Sequence, residues 1–433
     1  MSLAQKGLSG FLYTFGSSLI SKGLGLAGGI YLARLLSPED YGLVAMLFIF
    51  FSISNFLVTG GFGLALIREK EITEEDKSTV FFFNLIVSLV LYACIWFSSP
   101  YIAQFYGEAI LEILAKIMGL DMIFKSLTIV QQSTLKRDLK FKELGIVSVF
   151  NGIIVIAVAV VLAYFGFGVY ALAVKFVLGS LGASILLYVI NPWKPTSFIK
   201  KNSFKKLFAF GSNVMILGLV NSVTKEFHKA VIGRYYSTAS LGFFNQGGML
   251  KDNLSNTFTE TISKVTFPML SKLQDDKERL KRGYIRILQI NSYVIFPLIS
   301  ILILVAEPLI LGLLGEKWSG SIPFLQILCI SAYVHHLHKI NLNVLKVYGK
   351  GKDYIMQGVI RNVLTISGVV IGAYISIYAI AWSLVITEFL QIFVNVHYSN
   401  KYIKFRFKEQ LKVMLPLIAL SLGMSFFVFH CYL

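Results

Sequence analysis

Thirteen predominantly apolar stretches divide the chain, at roughly residues 11–33, 42–66, 79–98, 112–135, 144–165, 168–190, 207–232, 243–269, 287–306, 322–345, 354–375, 378–397 and 412–431. Each approaches or exceeds the ~18 residues that cross a hydrocarbon core as a helix. Leu144–Phe165 carries no charge at all, and neither does Tyr293–Ala306. Several stretches are interrupted by Gly or polar residues, as in helices that line a cavity. The pattern predicts an all-α polytopic membrane protein. The first stretch runs into a long span rather than a short apolar region with a cleavage site, so it reads as a retained helix.

The connectors fix an orientation. With the N-terminus in the cytoplasm, the inside segments, with Lys412 at the edge of the last stretch, carry 27 of the 40 Lys and Arg residues, whereas the outside segments carry only Arg34, Arg234 and Lys317. This is a positive-inside pattern, and it places the C-terminus outside. Composition agrees: 56% of residues are apolar and 15% charged, with mean hydropathy +0.71, against about 25% charged in a soluble domain. The net charge of +17 is accounted for by topology, so nucleic acid is not expected as a partner. Cys94, Cys329 and Cys431 lie far apart in apolar stretches. They imply neither a disulfide framework nor a zinc site.

The chain echoes itself. Arg34-x-x-Ser37-x-x-x-x-Gly42 recurs as Arg234-x-x-Ser237-x-x-x-x-Gly242. Leu135-Lys136-x-x-x-Lys140-x-Lys142 recurs as Leu345-Lys346-x-x-x-Lys350-x-Lys352, and Val169-Tyr170-Ala171 as Ile377-Tyr378-Ala379. Six spans separate the members of each pair, so the two copies point the same way. The expectation is two six-helix lobes, residues 1–195 and 196–405, related by a pseudo-twofold along the membrane normal with a site between them. An additional helix follows at 406–433, and the basic loop Asn191–Lys206 marks the boundary.

No P-loop, HExxH or GxSxG motif occurs; Gly349-Lys350-Gly351-Lys352 lacks the spacing and reads as a cytoplasmic turn. His335, His336 and His338 lack nearby acidic or Cys partners in sequence and read as a polar cavity face rather than a metal site. The informative residues are charges inside spans, each costing ~2.5–3.5 kcal/mol at mid-bilayer on insertion scales. Lys22, Lys116, Lys125, Lys175, Lys225, Lys229, Lys251, Lys264, Lys339 and Arg361 face only Asp121, Glu226, Asp252, Glu260 and Glu388. Asp121 and Lys125 are spaced to neutralise each other, and Lys225 can pair with Glu226 or Asp252. Helical spacing puts many of these charges on faces shared with Asn213, Asn221, Asn245, Asn256, Thr259, Ser263 and Gln357. The surplus of bases calls for an anion. Phosphate or pyrophosphate suits it, and the polar neighbours suit sugar hydroxyls, so the candidate substrate-binding residues are Lys22, Lys125, Lys175, Lys225, Lys229, Lys251 and Arg361.

Four strings, ARLLSPEDYGLVAM from Ala33, GGFGLALIREKEIT from Gly60, LGFFNQ from Leu241 and VTFPMLSKLQDD from Val265, resemble Wzx-type O-antigen and exopolysaccharide flippases of the multidrug/oligosaccharidyl-lipid/polysaccharide (MOP) exporter superfamily. The resemblance implies alternating access around a cationic cavity in a bacterial inner membrane, no enzyme activity, and undecaprenyl-pyrophosphate-linked repeat units as substrate. It implies polymerase machinery and membrane lipid as partners. Coupling to H+ or Na+ makes Asp121, Asp252 and Glu388 the candidate coupling residues. No metal and no other cofactor is expected. Family members often have fourteen spans; thirteen are read here. A multidrug or cation antiporter of the same superfamily is the alternative, disfavoured because bases outnumber acids. A membrane-embedded polymerase or glycosyltransferase needs a large catalytic loop, and the longest outside loops, near 98–112 and 306–322, are short.

Overall fold

The computed structural model describes the backbone of residues 3–59, 61–69, 71–274 and 276–432, and their side chains except at 3–12, 14, 15, 209–217, 256–269, 272, 422 and 424–432. Fifteen helices and no strand occur among the described residues. In order they are α1 (Leu3–Leu35), α2 (Pro38–Thr59), α3 (Phe62–Arg68), α4 (Glu74–Tyr106), α5 (Ile110–Arg137), α6 (Phe141–Tyr164), α7 (Val169–Ile190), α8 (Lys201–Tyr235), α9 (Thr238–Lys272), α10 (Lys277–Leu304), α11 (Ala306–Leu313), α12 (Ser321–Val347), α13 (Gly351–Ala373), α14 (Ile377–Ile403) and α15 (Phe407–Tyr432). Apart from the short α3 and α11, thirteen helices of 22 residues or more remain. One lies over each apolar stretch of the sequence. Seven segments, among them Glu74–Tyr106 and Phe141–Tyr164, are long and apolar enough among the described residues to cross a membrane on length and composition alone. Charges inside others, such as Asp121 and Lys125 in α5, lower their hydropathy.

The internal echoes have a structural meaning. Ser37 precedes α2, where its hydroxyl accepts from the Asp40 amide at 3.3 Å and its own amide donates to the Asp40 carboxylate at 2.9 Å. This reciprocal pairing satisfies amides that a helix start leaves without partners. Ser237 accepts from the Ser240 amide at 3.2 Å and so starts α9 in the same way. In the second echo the Lys140 amide donates to Leu135 O at 2.9 Å, and the Lys350 amide to Leu345 O at 3.0 Å. The chain turns out of α5 through Leu139 at φ 56° and out of α12 through Gly349 at φ 62°. Glycine adopts that left-handed conformation freely, and leucine only against a steric penalty. The third echo opens α7 and α14.

Two compact units result, Met1–Arg234 and Tyr235–Leu433. In the first, α5 packs on α2, α4 and α7, and α6 packs on α7 and α1. In the second, α12 packs on α9, α10 and α14, and α13 on α14. The packing of α5, α6 and α7 thus recurs as α12, α13 and α14. The second unit's core joins Tyr284, Leu288 and Phe296 of α10 to Leu337, Ile340 and Val344 of α12 and to Ile392 and Val396 of α14. Large apolar side chains such as Phe150, Ile153 and Ile154 on α6 are exposed; a surface of that kind suits lipid rather than water. Tyr101, Phe105, Tyr164, Phe165 and Tyr374 are exposed towards the ends of α4, α6 and α13, where an aromatic belt meets the interface.

The first unit runs from the loop at 191–206 on through nearly all of α8. Residues 193–206 are fastened to the start of α4: Trp193 Nε1 donates to Glu74 at 2.8 Å, the Thr196 amide to Ser78 Oγ at 3.0 Å, and the Lys200 amide to Thr79 Oγ1 at 3.1 Å. Lys206 Nζ lies 3.0 Å from both Asp76 Oδ2 and the Glu71 carbonyl. Buried Asp76 also closes a capping box with Thr73. Asp76→Ala is therefore expected to lower stability by about 2–4 kcal/mol, read as a lower thermal unfolding midpoint of the purified protein.

Candidate functional site

In the first unit, Lys125 of α5 lies 2.7 Å from Asp121 one turn earlier, and Asp121 is almost wholly buried. The lysine also sits over the Phe176 ring of α7, 5.1 Å from its centroid. Phe176 packs against Phe48 and Phe51 of α2 at centroid distances of 6.4 and 5.6 Å. Lys229 of α8 lies 4.8 Å from the Phe48 centroid. Lys229 is 2.8 Å from the buried Glu226 carboxylate. Four helices thus gather two lysines around three phenylalanine rings, whose faces favour cations.

Lys175, next to Phe176 on α7, is half-buried. It has neither an ion-pair nor a hydrogen-bond partner among the described residues. Lys225 also approaches Glu226, at 3.8 Å, but its side chain is 77% exposed. Lys22 on α1 is exposed as well. Lys116 pairs with Glu112 at 2.7 Å. That acid sits at the edge of its apolar stretch, and counting charges within stretches passed over it.

In the second unit, Lys251 of α9 pairs with its neighbour Asp252 at 2.9 Å. Arg361 of α13 is half-buried, and the residue one turn later, Thr365, accepts from Gln391 Nε2 of α14 at 3.1 Å. Among the described residues, Glu388 of α14 has no lysine for a close partner. It meets two histidines of α12 instead, His338 Nε2 at 2.6 Å and His335 Nδ1 at 3.4 Å. The histidine cluster, read from sequence as lacking an acidic partner, acquires one from 50 residues further on. His336 turns elsewhere, to Ser292 Oγ at 2.9 Å, and is fully buried. Among the described residues no group of three His, Cys, Asp or Glu is placed to hold a metal ion.

The structure therefore joins Asp121 to Lys125 and Glu226 to Lys229 in one unit, and Lys251 to Asp252 and Glu388 to His335 and His338 in the other, and it leaves Lys22 and Lys225 on exposed faces. The Asn213, Asn256, Thr259, Glu260, Ser263, Lys264 and Cys431 side chains and most of the 265–276 string lie outside the described side chains. Of the other resemblance strings, the one from Gly60 forms α3, which packs on α5. Ser133 Oγ donates to Gly63 O at 3.1 Å, and Arg137 donates to the carbonyls of Leu66 and Glu69.

Solved structures share this fold of long apolar helices with charged side chains inside them. The "Lipid II flippase MurJ, inward closed conformation" superposes with a TM-score of 0.79 at 17% identity, covering 97% of this chain and 93% of that one. An inward-facing multidrug resistance MATE family transporter of the MOP superfamily gives 0.66 at 15% identity, over 89% and 94%. The profile of the family described as "Polysaccharide biosynthesis protein" matches residues 31–323. The chain belongs to that family. It is 25% identical to the teichuronic acid biosynthesis protein TuaB of Bacillus subtilis over 67% of its own length and 60% of TuaB's. It is 26% identical to the succinoglycan biosynthesis transport protein ExoT of Rhizobium meliloti, over 79% and 69%. With the lipopolysaccharide biosynthesis protein WzxC of Escherichia coli the figures are 22%, 86% and 76%. The chain thus spans about 60% of the length of TuaB.

Proposed function

We propose that the protein is a flippase that carries undecaprenyl-pyrophosphate-linked oligosaccharide units across a bacterial inner membrane, from the cytoplasmic to the outer leaflet, by alternating access. The observation that carries this reading is Lys175, a half-buried cation in an apolar helix without a partner among the described residues. It is the chain neighbour of Phe176, over whose ring Lys125 sits. A cation held inside an apolar helix, where a mid-bilayer position costs ~2.5–3.5 kcal/mol, is kept for something it binds. Pyrophosphate offers charge and acceptor oxygens in one group, and lysines take it up through charge-assisted hydrogen bonds. Lys22 and Lys225, exposed along α1 and α8, turn towards a water-filled path on this reading, because hydrocarbon would not tolerate them. Family membership and the transport function named for ExoT support the same substrate class. The N-terminus lies in the cytoplasm, and delivered units pass to polymerase machinery on the outer side.

The deciding experiment is the sidedness of lipid-linked oligosaccharide in cells lacking this protein. Completed units held on the cytoplasmic leaflet, with surface polysaccharide lost, are expected. Units reaching the outer leaflet at the normal rate would overturn the proposal and make drug or cation export the leading function.

A further inference from the structure

In the second unit α10 and α15 pack side by side and are tied at two levels. Near their starts Lys281 Nζ lies 3.5 Å from the Glu409 carboxylate. Further along, Ser300 Oγ donates to Ser421 Oγ at 3.4 Å. Between these ties a groove of about 380 Å³ opens, lined by Arg286, Gln289, Tyr293 and Val294 of α10 and by Val413 and Leu417 of α15. Sites for small ligands span ~300–1,000 Å³, so the gap is large enough to hold part of a molecule. It is open on one side, where Tyr293 is 61% exposed.

One end of the groove is cationic. Arg286 stands one residue before the apolar stretch 287–306, a position at the level of lipid headgroups. Its guanidinium has neither an ion pair nor a hydrogen bond among the described residues. The same holds for the side chains of Arg282, one turn earlier, and of Lys408 and Lys412 on α15, and all four are exposed. The neighbouring acids are engaged elsewhere. Glu409 meets Lys281 and the Arg406 amide, at 3.5 and 2.7 Å, and Asp276 meets Arg279 at 3.2 Å. Glu278 lies two turns before Arg286. Polar groups then continue into the apolar stretch on the face of α10 that carries Arg286. Gln289 follows about 4.5 Å further along the helix axis, and Tyr293 about 10 Å. Both are exposed, and neither side chain has a hydrogen bond among the described residues. A helix face against lipid keeps such groups where something meets them.

We propose that the groove between α10 and α15 binds a membrane phospholipid with a net negative headgroup. Its phosphate takes charge-assisted hydrogen bonds from Arg286, its ester oxygens reach Gln289, and an acyl chain lies along Val294, Val413 and Leu417. A choline or ethanolamine headgroup would add an ammonium to four cations that have no acid of their own, so the site selects an anionic lipid. Lys125, Lys175 and Lys229 belong to the first unit, which makes this a site apart from the cations proposed for the substrate. Val413 and Leu417 also pack against the core around Tyr284 and Phe296. A lipid that fills the gap between the two ties therefore holds α15 to that core, and the stability of the second unit follows the anionic-lipid content of the membrane.

The test is native mass spectrometry and thermal unfolding of the purified full-length protein in detergent, with phosphatidylglycerol or phosphatidylcholine of the same acyl chains added. Phosphatidylglycerol is expected to stay bound as a single-lipid adduct and to raise the unfolding midpoint; phosphatidylcholine is expected to do neither. Arg286→Gln should lower adduct retention about tenfold, the equivalent of one charge-assisted contact, and abolish the stabilisation. Lys140→Gln, which removes a charge from an exposed connector of the first unit, should leave both unchanged. Ile290 lines the same groove, and Ile290→Trp, which fills it without altering charge, should act like Arg286→Gln. Full retention of phosphatidylglycerol by both groove variants would overturn the proposal. So would equal stabilisation by inorganic phosphate, which would leave a bare anion site. A dimer mass abolished by Ile290→Trp would overturn it too, by making the groove a contact between two copies. Should Arg286→Gln fail to fold, Ile290→Trp decides alone. No glycan enters the measurement, so its outcome and that of the leaflet assay are independent.

Discussion

Lys175→Met is expected to make the protein more stable and less active at once. Methionine matches the length and flexibility of lysine without its charge. Lys175 has no partner to lose among the described residues, so the substitution strands no buried acid. Removing the desolvated charge is expected to stabilise the fold by on the order of 1–3 kcal/mol, seen as a raised thermal unfolding midpoint. Export should fall about tenfold to a hundredfold, the equivalent of one charge-assisted contact worth ~1.5–3 kcal/mol. A residue that lowers stability and raises function is the signature of a binding group. Higher stability with full export would show instead that Lys175 never meets the substrate.

The second large effect concerns Lys125. Changing it alone is a poor test, because an unpaired Asp121 would remain buried at a cost of about 3–5 kcal/mol, and export would fall whatever the role of the lysine. Asp121→Asn with Lys125→Met removes both charges together. A buried ion pair replaced by neutral groups of similar size is often neutral in stability. The double variant is therefore expected to express and unfold like the parent, while its export of lipid-linked glycan drops at least about tenfold, on the same footing of one charge-assisted contact. Normal export would reduce the pair to a structural one, as the i,i+4 spacing alone allows.

Helix positions were legible in the sequence because hydrocarbon imposes one requirement, a long apolar run, and thirteen runs gave thirteen long helices. The ends were less legible. Helix α4 extends from Glu74 to Tyr106 around an apolar stretch read as 79–98, since a capping box lets acidic residues continue a helix beyond the apolar core. The echo of Ser37 in Ser237 was readable because capping is a local interaction with a fixed spacing. Asp121 with Lys125 was readable for the same reason. Glu112 was lost by lying at the edge of a stretch. The meeting of Glu388 with His335 and His338 depends on how α12 packs against α14, and no spacing within either segment encodes it. Lys225 was placed in sequence by its depth along α8, whereas its exposure depends on which way that helix faces.

The fastening of residues 193–206 to the first turn of α4 bears on how this chain can be taken apart. The longest basic connector, midway along the sequence, is the natural place to split the gene and express two halves side by side. Such a cut would part Trp193, Thr196 and Lys200 from Lys206, although all four grip the same helix end. The half beginning after the cut would lack the template on which α8 starts, and the half ending before it would leave Asp76 without its lysine. The loop is thus a seam in evolutionary terms, where two copies were joined, but a girder in mechanical ones.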